Sequence, residues 1–416
     1  MRIRLLSAAG LCILLSSSLA AAEPSAPSLP WFPKAPPLPK PVGQVIRVAT
    51  VEQLFKAADE VKPGGTILVA DGHYMMPRYF DLHTDNVILR GASGDRTKVV
   101  LDGARSQHGE LVGVTGCSGV TIADLTIQNI KFNGFKINCD RKAHHVTIYN
   151  CVVHNIWQRG VKGPATKEPD AEELSPRDCR VQYCLFYNDR PKQFSDDPTD
   201  TAGSFNGNYV GGIDAMQARG WTISDNVFWG IRGRTGEARG AVFLWMDGRN
   251  CTVERNVIVN CDTGICLGNS HRARFPIHAT GCIVRNNFIV GAPENGILAD
   301  YTRDCKILHN TVHCPQSRMQ RLIRLVHDND GLLVANNLLS GPPMRIETQS
   351  KVEQRGNVVQ KDLAGSFVDA AAGNLHLKAA VPGINGAAEL LPDVLEDIDR
   401  QRRSTKTDTG ADQLAK

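Results

Sequence analysis

The chain has 416 residues and a formal net charge of +4, long enough for one extended solenoid or two ordinary domains. Residues 1–22 carry two Arg and no acid, so without them the balance is close to neutral. That excludes the broad basic field by which a protein grips nucleic acid, and no stretch beyond the N-terminus is long and apolar enough to span a bilayer.

The N-terminus reads as a secretory signal. Arg2 and Arg4 precede an apolar run through Leu11, Ile13, Leu14 and Leu15, and Ala20-Ala21-Ala22 supply small residues for cleavage near Ala22. Cys12 follows Leu11, not the small residue of a lipoprotein signal, and belongs to the apolar run. The protein is therefore expected to be secreted, periplasmic or at the cell surface. Residues 23–43 are rich in Pro and are expected to form a stiff linker that packs no core, with local docking by Trp31 and Phe32. Thr50 and Gln53 then have capping-box spacing, and Val51, Leu54, Phe55, Ala58 and Val61 line one face of a helix that Pro63-Gly64-Gly65 ends. Laid over a first coil, this amphipathic helix would cover the open end of a solenoid.

From there one pattern recurs. A hydrophobic residue, two positions, a marker residue and two mostly apolar residues run through Ile148…Cys151, Val181…Cys184, Ile223…Asn226, Val253…Asn256, Val284…Asn287, Ile307…Asn310, Val334…Asn337 and, more weakly, Gln354…Asn357. The steps between markers are 33, 42, 30, 31, 23, 27 and 20 residues. Such spacing predicts an all-β solenoid over residues 44–390, with one coil per repeat and equivalent residues stacked in ladders. Asn in register can bond its counterparts above and below. Cys179, Cys251, Cys282 and Cys305 each lie five residues before a marker, with Trp221 in the same slot, so the cysteines read as inward fillers and free thiols are favoured over disulfides. Residues 391–416 are polar and charged and are expected to be a disordered tail.

A second strand in each coil usually opens with Gly. Alternation then points Phe135, Val161, Ile213, Ala241, Ile265 and Ile297 inward, and Lys136, Lys162, Asp214, Val242, Cys266 and Leu298 outward. Two polar insertions, 164–178 and 189–210, interrupt coils beside the Lys136–Lys162–Asp214 column.

This pattern, from about residue 45 to 386, resembles the right-handed parallel β-helix, or pectate-lyase-like, superfamily. The opening Pro63-Gly64-Gly65-Thr66-Ile67-Leu68-Val69-Ala70-Asp71-Gly72-His73-Tyr74 is similar to the start of the branch with chondroitinase B and alginate lyases, although the Asn-Gly-x-Glu-x-x-Arg catalytic block of those lyases is not found. Nor are the paired-Asp strands of the polygalacturonase branch. The resemblance implies a protein acting on acidic polysaccharide by β-elimination, which needs a base and a cation to neutralise the uronate carboxylate. Lys136 and Lys162, one strand spacing apart, would each disfavour the other's charge and so supply the base, with Asp214 beside them. Arg159, Arg232, Arg234 and Arg239 would bind substrate carboxylates through their planar forks. The plainer reading makes all seven a solvated stripe of local ion pairs.

Asp196, Asp197 and Asp200 are oxygen ligands that could hold Ca²⁺, though a solvated loop is the commoner outcome and no other cofactor is indicated. His154, near Arg159 and Trp157, has the chemistry of an acid or base, and Trp157, Trp229 and Trp245 could stack on sugars. The leading expectation is a polysaccharide-lyase-like enzyme. Its alternatives are a non-catalytic glycan- or cell-surface-binding β-helix and, third, a glycoside hydrolase or epimerase. A monomer is expected.

Overall fold

The computed structural model describes residues 26–166, 174–271 and 275–414. The signal segment, Lys167, Glu168, Asp170, Glu172 and Glu173 of the first insertion, and Arg272 and Arg274 lie outside the described residues.

Each coil gives one short strand to each of three parallel sheets, of 12, 11 and 12 strands. The coil around Asn226 shows the plan: Thr222–Ser224 joins the first sheet, Val227–Trp229 the second and Val242–Trp245 the third. Inward residues of the three sheets merge into one continuous core running from Val48 to Leu339. Register follows the markers, with Ile148↔Val181, Val181↔Ile223 and Ile223↔Val253 paired across successive coils. A period-2 alternation buried on one side and stacked on both edges is what β-branched runs of three residues can satisfy.

The marker residue turns the chain from the first sheet to the second. Asn226, Asn256, Asn287, Asn310 and Asn337 each donate an amide hydrogen to the side-chain oxygen of the next Asn, at 2.9–3.0 Å, ending on Asn357. The same oxygens accept the backbone N–H of the preceding ladder residue. Cys184 continues the line upstream by donating its N–H to Asn226. The residue before each marker is left-handed, including Tyr183 (φ 57°), Asp225 (59°), Arg255 (51°) and His309 (49°). That conformation costs a non-glycine residue about 1–2 kcal/mol, and the buried amide bonds fix it in place. All eleven cysteines of the described residues are free and buried, four of them in the expected filler column.

Among the described residues the one α-helix, α1 (Val51–Glu60), sits at the N-terminal end. Thr50 accepts the Gln53 N–H at 3.2 Å, and the Gln53 side chain reaches back to the Ala49 N–H. Leu54, Ala57 and Ala58 join the core, and the Phe55 ring meets Phe80 edge-on at 5.5 Å.

Two segments pack more than their composition suggests, the first through the docking of Trp31 and Phe32 expected of it. The Pro-rich stretch is docked along the second sheet: Trp31, Phe32 and Leu29 pack with Val227, Val257 and Phe288, and Tyr149 donates its hydroxyl to the Pro36 carbonyl at 2.7 Å. Nor is the tail disordered over 391–414. Arg403 is buried and donates to Asn286 Oδ1 and to the carbonyls of Gly410 and Ala411, while Gly410 and Ala411 donate their N–H groups to the Asn336 carbonyl and Thr311 Oγ1. Its polar residues bond to backbone, so their burial leaves few unpaired groups.

Candidate functional site

The third sheet carries the predicted column on its outer face. Lys136 stands opposite Lys162, and Lys162 opposite Asp214, as the spacing requires. In the next coil alone the expected phase slips by one, and Cys266 and Leu298 stand in the column as expected. Asp214 pairs with Phe243, and Val242 points inward opposite Ile213. The reason lies in the glycine slot. A Cβ on Gly212 would meet the Ala241 carbonyl at 2.4 Å, just as one on Gly160 would meet Gly212 at 2.7 Å. Ala241, not Gly240, fills the slot and is buried in the core there, while Val242 takes the register place opposite Ile213 expected for Ala241.

Asp214 is the centre of a buried cluster. Its Oδ2 accepts from Arg159 Nε and Lys162 Nζ, each at 2.8 Å, and its Oδ1 accepts from the Trp245 indole at 3.0 Å. Burial opposes ionisation of this carboxyl, but the two cations outweigh it and hold the group down at about 2. Arg159 is 1% exposed and lies under the Tyr209 ring, 3.9 Å from its centroid. Two cations on one carboxylate leave a net positive charge at mid-sheet.

Lys136 is not part of that cluster. Its ammonium goes the other way, to Glu110 at 2.9 Å, and Asn133 donates to the same carboxylate. The expected pair of mutually destabilising ammonium groups is therefore not formed: each lysine is matched to a separate carboxylate. The arginines also divide. Arg232 pairs with buried Asp262 at 3.3 Å. Arg234 bonds to Asn206 and lies over the Phe194 ring. Arg239 is exposed and has no ion pair among the described residues, and it lines a cleft of ≈ 370 Å³ with Phe205, Glu237, Cys266, Asn295 and Leu298. Asn295 is 5% exposed and its side-chain oxygen is buried without a partner.

The acids of the second insertion hold protein cations. Lys192, fully buried, meets Asp197 and Asp200 at 2.9 Å each and donates to the Tyr209 carbonyl. Asp196 receives a two-pronged bond from Arg190. A lysine ammonium thus occupies the place where Ca²⁺ would sit, and the same bonds anchor Tyr209 above Arg159. His154 pairs with Asp189 and stacks on Tyr187 in the second sheet, away from this face. Trp245 faces outward, stacked on Phe243. Trp229 packs with the second-sheet cluster, and Trp157 lies under Arg190.

Sequence reasoning did not single out Glu110, Lys192, Tyr209, Asn295, or the pair His327 and Asp300, joined at 2.8 Å. Leu298 and Asp300 alternate outward on one strand, so the phase already contained Asp300. His327 sits in a left-handed kink (φ 55°) that no periodicity announces.

Residues 110–312 match the family model described as "Right handed beta helix region". Comparison with curated proteins gives no match. Among solved structures the chain is similar to pectate lyase Pel9A, with 13% identity, 90% of this chain and 97% of that one covered, and a TM-score of 0.63. An alginate lyase from Paenibacillus sp. str. FPU-7 matches at 11% identity, 76% and 99% coverage and TM-score 0.39. The tailspike protein of E. coli bacteriophage HK620, in complex with pentasaccharide, matches at 12%, 77% and 59%, and 0.46. The ladder-bound coils, the family match over residues 110–312 and the fold shared with Pel9A show that this chain has the right-handed parallel β-helix fold.

Proposed function

We propose that this protein is carbohydrate-active and engages an acidic polysaccharide along the outer face of the third sheet. The observation that carries the reading is the cleft at Arg239. An unpaired guanidinium fork suits a carboxylate or sulfate, the unpartnered Asn295 oxygen suits a sugar hydroxyl, and the exposed Phe205 ring at the rim suits a sugar face. The net positive Arg159–Lys162–Asp214 cluster adds attraction on the same sheet. Pectate, the polymer in the name of Pel9A, is of the same acidic class. The test is retention on immobilised alginate, pectate, chondroitin and heparan. Retention on at least one, lost in Arg239→Ala, is expected, and passage through all four refutes the reading.

β-Elimination is the second reading. It is favoured by the same charge, because cations that hold a uronate carboxylate also stabilise the negative charge that develops there as the adjacent carbon loses its proton. With Lys136 or Lys162 as base, the ammonium would first have to leave its carboxylate. A hydrolase built on Asp214 is less well supported, since Arg159, Lys162 and Trp245 occupy both its oxygens.

A further inference from the structure

We infer that His327, oriented by Asp300, is the proton acceptor of this face; the inference rests on the acidic-polysaccharide reading above. Asp300 is fully buried, yet no lysine or arginine is bonded to it among the described residues. Its Oδ1 lies 2.8 Å from His327 Nδ1, and its Oδ2 accepts from Ser270 Oγ at 2.9 Å. A carboxylate can only accept there, so Nδ1 carries the hydrogen and Nε2 is the nitrogen left to take a proton. The ring is fixed a second time by Tyr301, parallel to it within 2° at 4.6 Å. The His327 side chain is 40% exposed, so the free nitrogen is open to a ligand while its orienting carboxylate is not.

Position singles this pair out. The other imidazole–carboxylate pairs under 3 Å among the described residues are His73–Asp102 and His154–Asp189 on the second sheet, and His376–Asp399 near the C-terminus. His327 alone belongs to the third sheet. Asp300 and Leu298 are alternate residues of the strand Asn295–Arg303, outward on one face about 7 Å apart, and Leu298 lines the Arg239 cleft. Val326, beside His327, packs with Leu298 and Cys266. His327 and Asp300 do not line that cleft themselves, so a polymer held at Arg239 would meet this oriented base by extending past Leu298 across the same face.

The step balances without a cofactor. Nε2 takes the proton from the carbon next to the carboxylate, and that C–H pair becomes the new C=C bond. The bond from the neighbouring carbon to the glycosidic oxygen breaks, and that oxygen leaves with a proton from water.

The full chain is incubated with alginate, pectate, chondroitin and heparan while the absorbance of the unsaturated product is followed, and retention on the same polymers is measured in parallel. Wild type is expected to form product on a polymer that retains it. His327→Ala and His327→Gln should both lower kcat by about 10²–10⁴-fold with retention unchanged, and His327→Gln, whose amide can still donate to Asp300, keeps the comparison valid if the Ala variant is destabilised. Asp300→Asn should lower kcat with KM unmoved. Product formation by both His327 variants at the wild-type rate overturns the inference. So does retention of wild type with no product on any polymer, which leaves the binding reading standing; absence of retention removes both.

Discussion

Lys192 and Asp197 meet at 2.9 Å with neither side chain open to solvent, and Asp200 lies on the other side of the same ammonium. Removing the cation would leave two carboxylates buried without it. Lys192→Met is expected to cost about 3–5 kcal/mol, far more than a surface pair would. Chemical denaturation measures the loss, and proteolysis within 189–210 reports whether the loop has come away.

The Asp214 cluster sets an acid limit. Its carboxyl is held near 2 in the folded chain against an ordinary 3.8. A depressed acid stabilises the fold above its unfolded value, so about 2 kcal/mol is present at neutral pH and is lost as pH falls from about 4 through 2. Asp214→Asn should remove that part of the acid dependence, as read from melting midpoints between pH 2 and 6. A wild-type slope in the variant would place the titration elsewhere.

The ladder predicts a local cost with a distributed effect. Asn287 Oδ1 accepts both the backbone and side-chain N–H of Asn256, and its amide bonds the Val253 carbonyl. Asn287→Leu keeps the volume but strands these buried groups, for about 2–4 kcal/mol. Urea unfolding checks the value, and an unchanged midpoint would mean that the amides only follow the backbone.

Two arginines of the predicted track should behave differently. The Arg239 side chain has no ion pair to lose among the described residues, so Arg239→Ala should leave stability unchanged and weaken binding roughly tenfold. Arg232→Ala instead leaves the fully buried Asp262 without its cation, although Gly233 and Ala238 still donate to that carboxylate. It should lower the melting midpoint more than it lowers affinity. Calorimetric titration with the retaining polymer and a thermal scan separate the two.

The coils were legible because marker and filler residues recur at fixed distances from β-branched triplets, and stacking forces equivalent residues together. Phase failed at Ala241 because the rule took Gly as the start of the strand, when any residue small enough for the carbonyl above it would serve. The lysine column was legible as register but not as chemistry: Lys136 and Lys162 are neighbours whose partners, Glu110 and Asp214, come from different coils. The tail was misread for a related reason. Composition treats Arg403, Asp408 and Asp412 as solvated, whereas each is buried and bonds backbone groups. His327 lies in a kink, outside any alternation.

Trp31 stands edge-on to His376 at 4.9 Å and beside Phe288 at 6.1 Å. Its neighbours come from a late coil and from the segment that follows the last one. The Pro-rich strap can find this seat only after most of the solenoid has wound, so it works as a latch thrown at the end of assembly. Fluorescence of Trp31 during refolding would then date completion of the whole fibre-like body, not the birth of its first coils.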